Sequence, residues 1–209
     1  TDNYSVSGYL NYAKTIGKNH NINVMAGMQY DRRDYEITGT SATDIQSELG
    51  IINGNGVISI AEAKKNSYAL LSYFGRLNYA YKDRYMFEFT LRHDGSMNFA
   101  PGHRWGVFPA FSLGWVMSEE EFFQPLKNVV SFFKVKGSWG MMGNDNVTAY
   151  QYMSQYKFID LNNTSSMCFG DEVVKAIYES RTANPLITWE KAKTWNLGFS
   201  SQFLDGKFG

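Results

Sequence analysis

Tyr85-Met86-Phe87-Glu88-Phe89-Thr90-Leu91-Arg92-His93 is the clearest alternating stretch of this chain. Tyr85, Phe87, Phe89 and Leu91 share one phase, and Met86, Glu88, Thr90 and Arg92 share the other. Successive side chains of a strand leave on opposite faces, so the stretch reads as a strand with one apolar and one charged face. A helix would mix the two sets around its circumference.

The same period extends outward. Upstream, Leu71, Tyr73, Leu77, Tyr79 and Tyr81 oppose Ser72, Arg76 and Asn78, with Gly75 on the apolar face, where it costs strand propensity but permits close approach. Five further segments alternate in the same way: Tyr4–Tyr12, Ile22–Asp31, Arg104–Val116, Phe132–Met141 and Thr194–Phe203, which makes about seven strands. Their connections alternate too. Ile16-Gly17-Lys18-Asn19 and Lys82-Asp83-Arg84 are tight turns. Ser118–Val130 is longer, with Ser118 a candidate N-cap ahead of Glu119, Glu120 and Glu121, which predicts a short helical turn. Between these lie the long, Gly/Asn/Ser/Thr-rich segments Asp34–Asn66, Asp94–His103 and Met142–Ile187. Short periplasmic turns alternating with longer extracellular loops, and strands apolar on one face only, are the signature of a transmembrane β-barrel. Aromatics near strand ends (Tyr79, Tyr81 and Tyr85 beside the Lys82 turn, Trp105 and Trp115 at opposite ends of one strand) suit interfacial girdles. They would also suit the core of a soluble β-protein.

Composition narrows the function classes. The 209 residues carry no net formal charge, so there is no basic footprint for nucleic acid. No run approaches the ~18 apolar residues of a membrane helix. The mean hydropathy of -0.36 does not argue against a barrel, because half of each strand is polar. The single cysteine, Cys168, excludes an internal disulfide framework and a multi-cysteine zinc site. The chain opens on Thr1 without a signal peptide and closes just after the turn signal Asp205-Gly206-Lys207, which reads as an internal piece of a longer protein.

One ordered series of motifs carries a family resemblance. It runs Ser72-Tyr73-Phe74-Gly75-Arg76-Leu77-Asn78-Tyr79, Tyr81-Lys82-Asp83-Arg84-Tyr85 and Leu91-Arg92-His93-Asp94-Gly95-Ser96. It continues through Phe99-Ala100-Pro101-Gly102-His103-Arg104-Trp105-Gly106, Phe108-Pro109-Ala110, Gly114-Trp115 and Ser118-Glu119-Glu120. It closes with Gly137-Ser138-Trp139-Gly140, Gly143-Asn144 and the Trp189–Phe199 stretch. The series resembles the barrel of the SusC/RagA family, TonB-dependent outer-membrane transporters of Bacteroidetes. The resemblance is dense from about Ser67 to Asn144, while the first sixty residues fit the rhythm with less family-specific text. It implies an all-β, antiparallel transmembrane barrel segment within a plugged barrel of about 22 strands. Residues 1–209 would be about a third of that wall, with the plug and remaining strands absent from this chain. It also implies a Gram-negative outer-membrane location, TonB and a SusD-like surface lipoprotein as partners alongside outer-membrane lipid, no cofactor and no enzymatic activity.

Candidate site residues are few. Arg76, Arg92, Lys134 and Lys136 fall, with Glu88, on the phase facing the lumen. They are candidates for substrate or plug contact, against the simpler reading of a solvated or salt-bridged interior. Trp105 and Tyr152, with Tyr150, Tyr156 and Phe158, lie near outer loops, where aromatic rings could stack on sugars or pack loop against loop. Asn53-Gly54-Asn55-Gly56 and Glu62 look like the later part of a calcium loop, with Asn53, Asn55 and Glu62 as ligands. The first ligand position would be Ile51, however, and a Gly/Asn turn accounts for the same residues. His93 and His103 flank one loop and could approach each other, though without a zinc-type ligand set. No nucleophile-elbow sequence is present.

Three functions compete: active import of a glycan or peptide nutrient, a passive porin, and a soluble carbohydrate-binding β-domain.

Overall fold

The computed structural model describes residues 1–42, 58–158, 167–169, 172–174, 177–204 and 208. The strands are β1 (Asp2–Ile16), β2 (His20–Ala42), β3 (Ile58–Tyr81), β4 (Tyr85–Ser96), β5 (Trp105–Val116) and β6 (Val130–Asn144). They continue with the short β7 (Gln155–Phe158), β8 (Met167–Phe169), β9 (Glu172–Val174) and β10 (Ile177–Arg181), then β11 (Glu190–Phe203). β1 to β6 and β11 form one seven-stranded antiparallel sheet in the order β1-β2-β3-β4-β5-β6-β11. β7 with β10 and β8 with β9 make two small ribbons inside the long β6–β11 connection.

Register aligns the alternation of neighbouring strands into rungs. One apolar rung runs Val24, Leu77, Phe89, Phe111, Trp139, Trp195, and the next runs Ile22, Tyr79, Phe87, Leu113, Gly137, Leu197. The intervening rung is Asn23, Asn78, Glu88, Ser112, Ser138, Asn196. The sheet therefore has a continuous apolar face and a polar one. On the apolar face, Leu197 is 87% and Trp195 76% exposed, which water would not tolerate over a whole sheet but lipid requires. Tyr73 to Tyr81 on β3 separates a Tyr73–Trp105 stack at 6.1 Å from a Tyr81–Tyr85 stack at 6.3 Å. At ~3.3 Å per residue that interval is about 26 Å along the strand. Two aromatic levels thus bracket an apolar band, as a membrane strand requires.

The short-turn end is tied together laterally. Lys82 and Asp83 both take positive φ, 51° and 54°, and the Arg84 N–H closes the turn on the Tyr81 carbonyl at 3.0 Å. The Lys82 N–H donates to the Asn19 carbonyl of the β1–β2 turn at 2.7 Å. Asn21 Nδ2 adds a bond to Asp83 Oδ1 at 3.0 Å. The β5–β6 connection forms two 3-10 turns, Met117–Glu119 and Glu121–Leu126. Ser118 is not the cap expected of it. The chain passes from β5 straight into the first turn, the cap position falls on Val116, and Ser118 lies buried inside.

Two segments read as loops are partly strand. β2 and β3 remain paired from Asp34↔Ser67 to Ala42↔Ile58, with a register shift at Gly39/Thr40. β6 extends to Asn144. A strand that has left the membrane needs no apolar face, so its sequence loses the alternation that marks it. Gly75 also differs from expectation. A Cβ there would be 3.7 Å from the Met25 carbonyl, an ordinary contact. Gly27, by contrast, is sterically forced: a Cβ there would lie 2.6 Å from the Gly8 carbonyl and 2.7 Å from the Phe74 ring.

Candidate functional site

The polar face is concave toward the short-turn end. There, Asn23, Asn78, Glu88, Ser112, Ser138 and Asn196 line a hollow of about 920 Å³. Lys134 and Lys136 border it, each reaching across a glycine. A Cβ at Gly114 would touch Lys134 Cε at 3.0 Å, and one at Gly198 would touch Lys136 Cε at 3.4 Å. Small residues on this face therefore make room for long cationic side chains to lie along the wall. Lys134 Nζ is 3.1 Å from Met86 Sδ. Arg76 is exposed and has no ion-pair partner among the described residues.

Arg92 is held on a higher rung. Its Nη2 donates to Asp94 Oδ1 at 3.1 Å and to Ser72 Oγ at 3.2 Å, and its Nε lies 3.3 Å from Asp94 Oδ2. This guanidinium is oriented by the wall itself, consistent with a salt-bridged interior. Its rung reads Tyr9, Gly27, Phe74, Arg92, Phe108.

The long-loop end is closed over part of this rung. The β5–β6 ladder stops at Ala110↔Gly140, next to Pro109, which has no N–H to give. Above that point Phe99, Phe108 and Trp189 form a small buried core, joined by Leu70, Met141, Val147 and Ile187. A Cβ at Gly106 or Gly143 would collide with the Phe108 ring. Polar anchors pin the covering loops. Tyr68 Oη donates to Asp145 at 2.9 Å, Asn98 Nδ2 to the Asp145 carbonyl at 3.0 Å, Thr188 Oγ1 to the His103 carbonyl at 3.0 Å and Trp189 Nε1 to the Arg104 carbonyl at 2.8 Å.

The structure thus places Arg76, Arg92, Lys134 and Lys136 on one face but on different rungs, and does not bring them into one cluster. Trp105 lies on the apolar face at the long-loop aromatic level, its ring centroid 4.6 Å from that of His93 with the planes tilted by 41°. His93 and His103 are consequently apart in role: one packs on Trp105, while the other offers its carbonyl to Thr188. Tyr152 sits half-buried in the turn after Tyr150. Asn53 and Asn55 lie outside the described residues, as does the Glu62 side chain. Among the described residues no group of three or more His, Cys, Asp or Glu could hold a metal. Sequence reasoning passed over Tyr9 and Phe74, although the signal was present: each is an aromatic on the polar phase of its strand.

A sheet with an apolar outer face, aromatic levels, a polar concave face and loops folded inward at one end is the wall of an outer-membrane β-barrel. This chain belongs to the TonB dependent receptor-like β-barrel family, whose profile matches residues 1–209. It is 34% identical over 209 residues to the TonB-dependent receptor SusC of Bacteroides thetaiotaomicron, covering 98% of this chain and 20% of that protein. It is 29% identical over 210 residues to the TonB-dependent receptor P3 of Formosa agariphila, covering 99% and 20%. Among solved structures, that of the RagAB peptide transporter superposes with a TM-score of 0.82 at 22% identity, covering 98% of this chain and 22% of that one. The chain spans about a fifth of the length of these relatives. The family location is the outer membrane, with the short turns at the periplasmic end and the long loops outside.

Proposed function

We propose that the chain is a wall segment of an active outer-membrane importer of an oligomeric nutrient, glycan or peptide, driven through TonB and working with a surface lipoprotein. Residues 1–209 supply seven consecutive wall strands, and further strands and a plug belong to the remainder of the polypeptide. Family membership across the whole chain carries this reading. Two features support it. The polar face carries polar side chains from the periplasmic hollow up to the covered outer rim, interrupted at the rung of Tyr9, Phe74 and Phe108. Apart from the Phe203↔Phe208 bridge on β11, the outer edges of β1 and β11 have no strand partner among the described residues, so both stand ready to pair with more wall.

Uptake of oligomers by cells carrying the complete transporter tests the reading. An importer loses uptake when TonB is deleted and co-purifies with a lipoprotein after mild detergent extraction. Uptake that persists without TonB identifies a passive porin instead.

A further inference from the structure

Near the periplasmic end, the lipid-facing rungs are filled with side chains except at one point. The belt rung reads His20, Tyr81, Tyr85, Trp115, Val135, Phe199, and the rung above it reads Ile22, Tyr79, Phe87, Leu113, Gly137, Leu197. A Cβ at Gly137 would meet only Leu197 Cδ1 at 3.8 Å and the Asn196 carbonyl at 3.9 Å. Those are ordinary contacts, so packing does not require glycine there. A glycine inside a strand weakens it and often marks a close approach by a ligand. Here the missing side chain opens a groove of about 570 Å³, bordered by Tyr79, Phe87, Leu113, Trp115 and Val135. Completing the barrel adds strands beyond β1 and β11 and fills the lumen. The groove lies on the opposite face of the interior strands β3 to β6, so it stays turned toward lipid.

Its lower end meets a polar rim. Trp115 is fixed there from two sides: its Nε1 donates to Glu120 Oε1 at 3.1 Å, and the Phe122 ring stands edge-on to it at 6.2 Å. Tyr85 Oη donates to the same carboxylate oxygen at 2.7 Å. Arg84 Nη1 is 3.8 Å from Glu120 Oε2, too long for a hydrogen bond, so the guanidinium keeps its donors. Lys82 Nζ lies 5.5 Å from the Tyr81 ring centroid, which puts it on the lipid side of the turn. It has no ion-pair partner among the described residues. Two cations with unused donors therefore stand at the mouth of an apolar groove, at the level of the aromatic belt.

We propose that this groove is a binding site for one glycerophospholipid of the periplasmic leaflet, with an acyl chain laid over Gly137 and the phosphate held by Arg84 and Lys82. One phospholipid supplies both chemistries in the order in which the wall presents them. A protein partner would have to fill the groove and also bring acidic groups to the two cations. Lipid elsewhere on the wall meets protruding side chains, whereas a chain over Gly137 is flanked as well as underlain, and so is retained. The inference goes beyond the import reading and does not depend on it, since an importer and a passive porin would hold the lipid alike.

The test is native mass spectrometry of the complete, delipidated transporter, titrated in detergent micelles with dioleoyl-phosphatidylglycerol, dioleoyl-phosphatidylethanolamine and dioleoylglycerol. The first equivalent of either phospholipid binds about tenfold more tightly than dioleoylglycerol, which has the chains without the phosphate. Gly137→Val, a strand-favouring side chain that has room, fills the groove and weakens that first step about tenfold. Lys82→Asn, which suits the turn, and Arg84→Gln each weaken phospholipid binding severalfold and leave dioleoylglycerol unchanged. Heat-modifiable migration on gels establishes that each barrel is closed. The proposal is overturned if folded Gly137→Val binds phospholipid as wild type does, if dioleoylglycerol binds as tightly as the phospholipids, or if neither charge variant changes the affinity. It is equally overturned if a photoreactive residue at Leu113 captures a polypeptide in native membranes, which would make this face a protein interface.

Discussion

Lys82 and Asp83 hold two consecutive left-handed conformations without a glycine. The hairpin demands this. A turn whose twist matches the flanking strands needs positive φ at both central residues, and Asn-Gly is the usual solution. A non-glycine residue in that region costs roughly 1–2 kcal/mol, less for Asn. Lys82→Asn should therefore stabilise the barrel by ~0.5–1 kcal/mol, about half of that penalty. The shift would be seen as a higher urea midpoint for refolding into lipid vesicles. A midpoint unchanged or lowered would mean that Lys82 compensates through its ammonium over the Tyr81 ring, 5.5 Å away. Glu120 is the second periplasmic residue with a measurable consequence. Its carboxylate accepts from Tyr85 Oη at 2.7 Å and Trp115 Nε1 at 3.1 Å, with Arg84 3.8 Å away. The Tyr85 hydroxyl first, and the Trp115 indole next, hold its pKa below the ordinary carboxylate value of 4.5. A lowered folded pKa means that the unfolded chain binds the proton more readily. The stabilisation is therefore complete above pH 4.5 and disappears as pH falls through the depressed value. The wild-type melting temperature should drop on acidification below that point. Glu120→Gln, already lacking the charge, should give a flatter curve over the same range, and parallel curves would exclude Glu120 as the titrating group.

The strands were legible where lipid dictates their sequence. The alternation of Tyr85–His93 survives as β4 because each odd residue meets hydrocarbon and each even residue meets the lumen. Legibility ended where that pressure ends. The outer halves of β2 and β3, around Tyr35 and Lys65, pair beyond the membrane and need no apolar phase. Ser118 looked like a cap because residue type was legible and the abrupt passage from strand to 3-10 turn was not. The wall cations were placed correctly on one face, since period alone determines that. Phe74 and Tyr9 were missed, because an aromatic on a polar phase looks like noise until its rung and Gly27 are seen together. The two faces make a paired prediction at neighbouring residues. Phe89→Arg directs a charge into lipid and should cost ~2–4 kcal/mol if it lies near the bilayer midplane. Thr90→Arg directs the same charge into the lumen and should cost little. The folded fraction of each variant, read by heat-modifiable migration after refolding, should separate them clearly. Equal losses would contradict the assignment of faces.

As a whole, the wall is a structure that needs what surrounds it. Among the described residues the buried hydrophobic side chains are few and lie under connections, at Phe99, Phe108 and Trp189 beneath the long loops and at Val116 and Phe123 in the β5–β6 turns, not between two layers of sheet. The apolar face has no protein partner among the described residues, and the outer edges of β1 and β11 present unpaired N–H and C=O groups. In lipid each such group costs several kcal/mol, so open sheets do not persist there. In water the apolar face and the two edges would both drive association. Residues 1–209 alone should therefore refold neither in plain buffer nor in detergent to a cooperative monomer, and size-exclusion chromatography should show aggregates. The same residues within the complete polypeptide should be protected, with Tyr9 and Leu197 on the edge strands becoming inaccessible to proteases once the barrel closes. A monodisperse 23.8 kDa species that unfolds in one transition in plain buffer would show that the sheet supports itself. It would also show that the alternation encodes a soluble β-domain despite the family match.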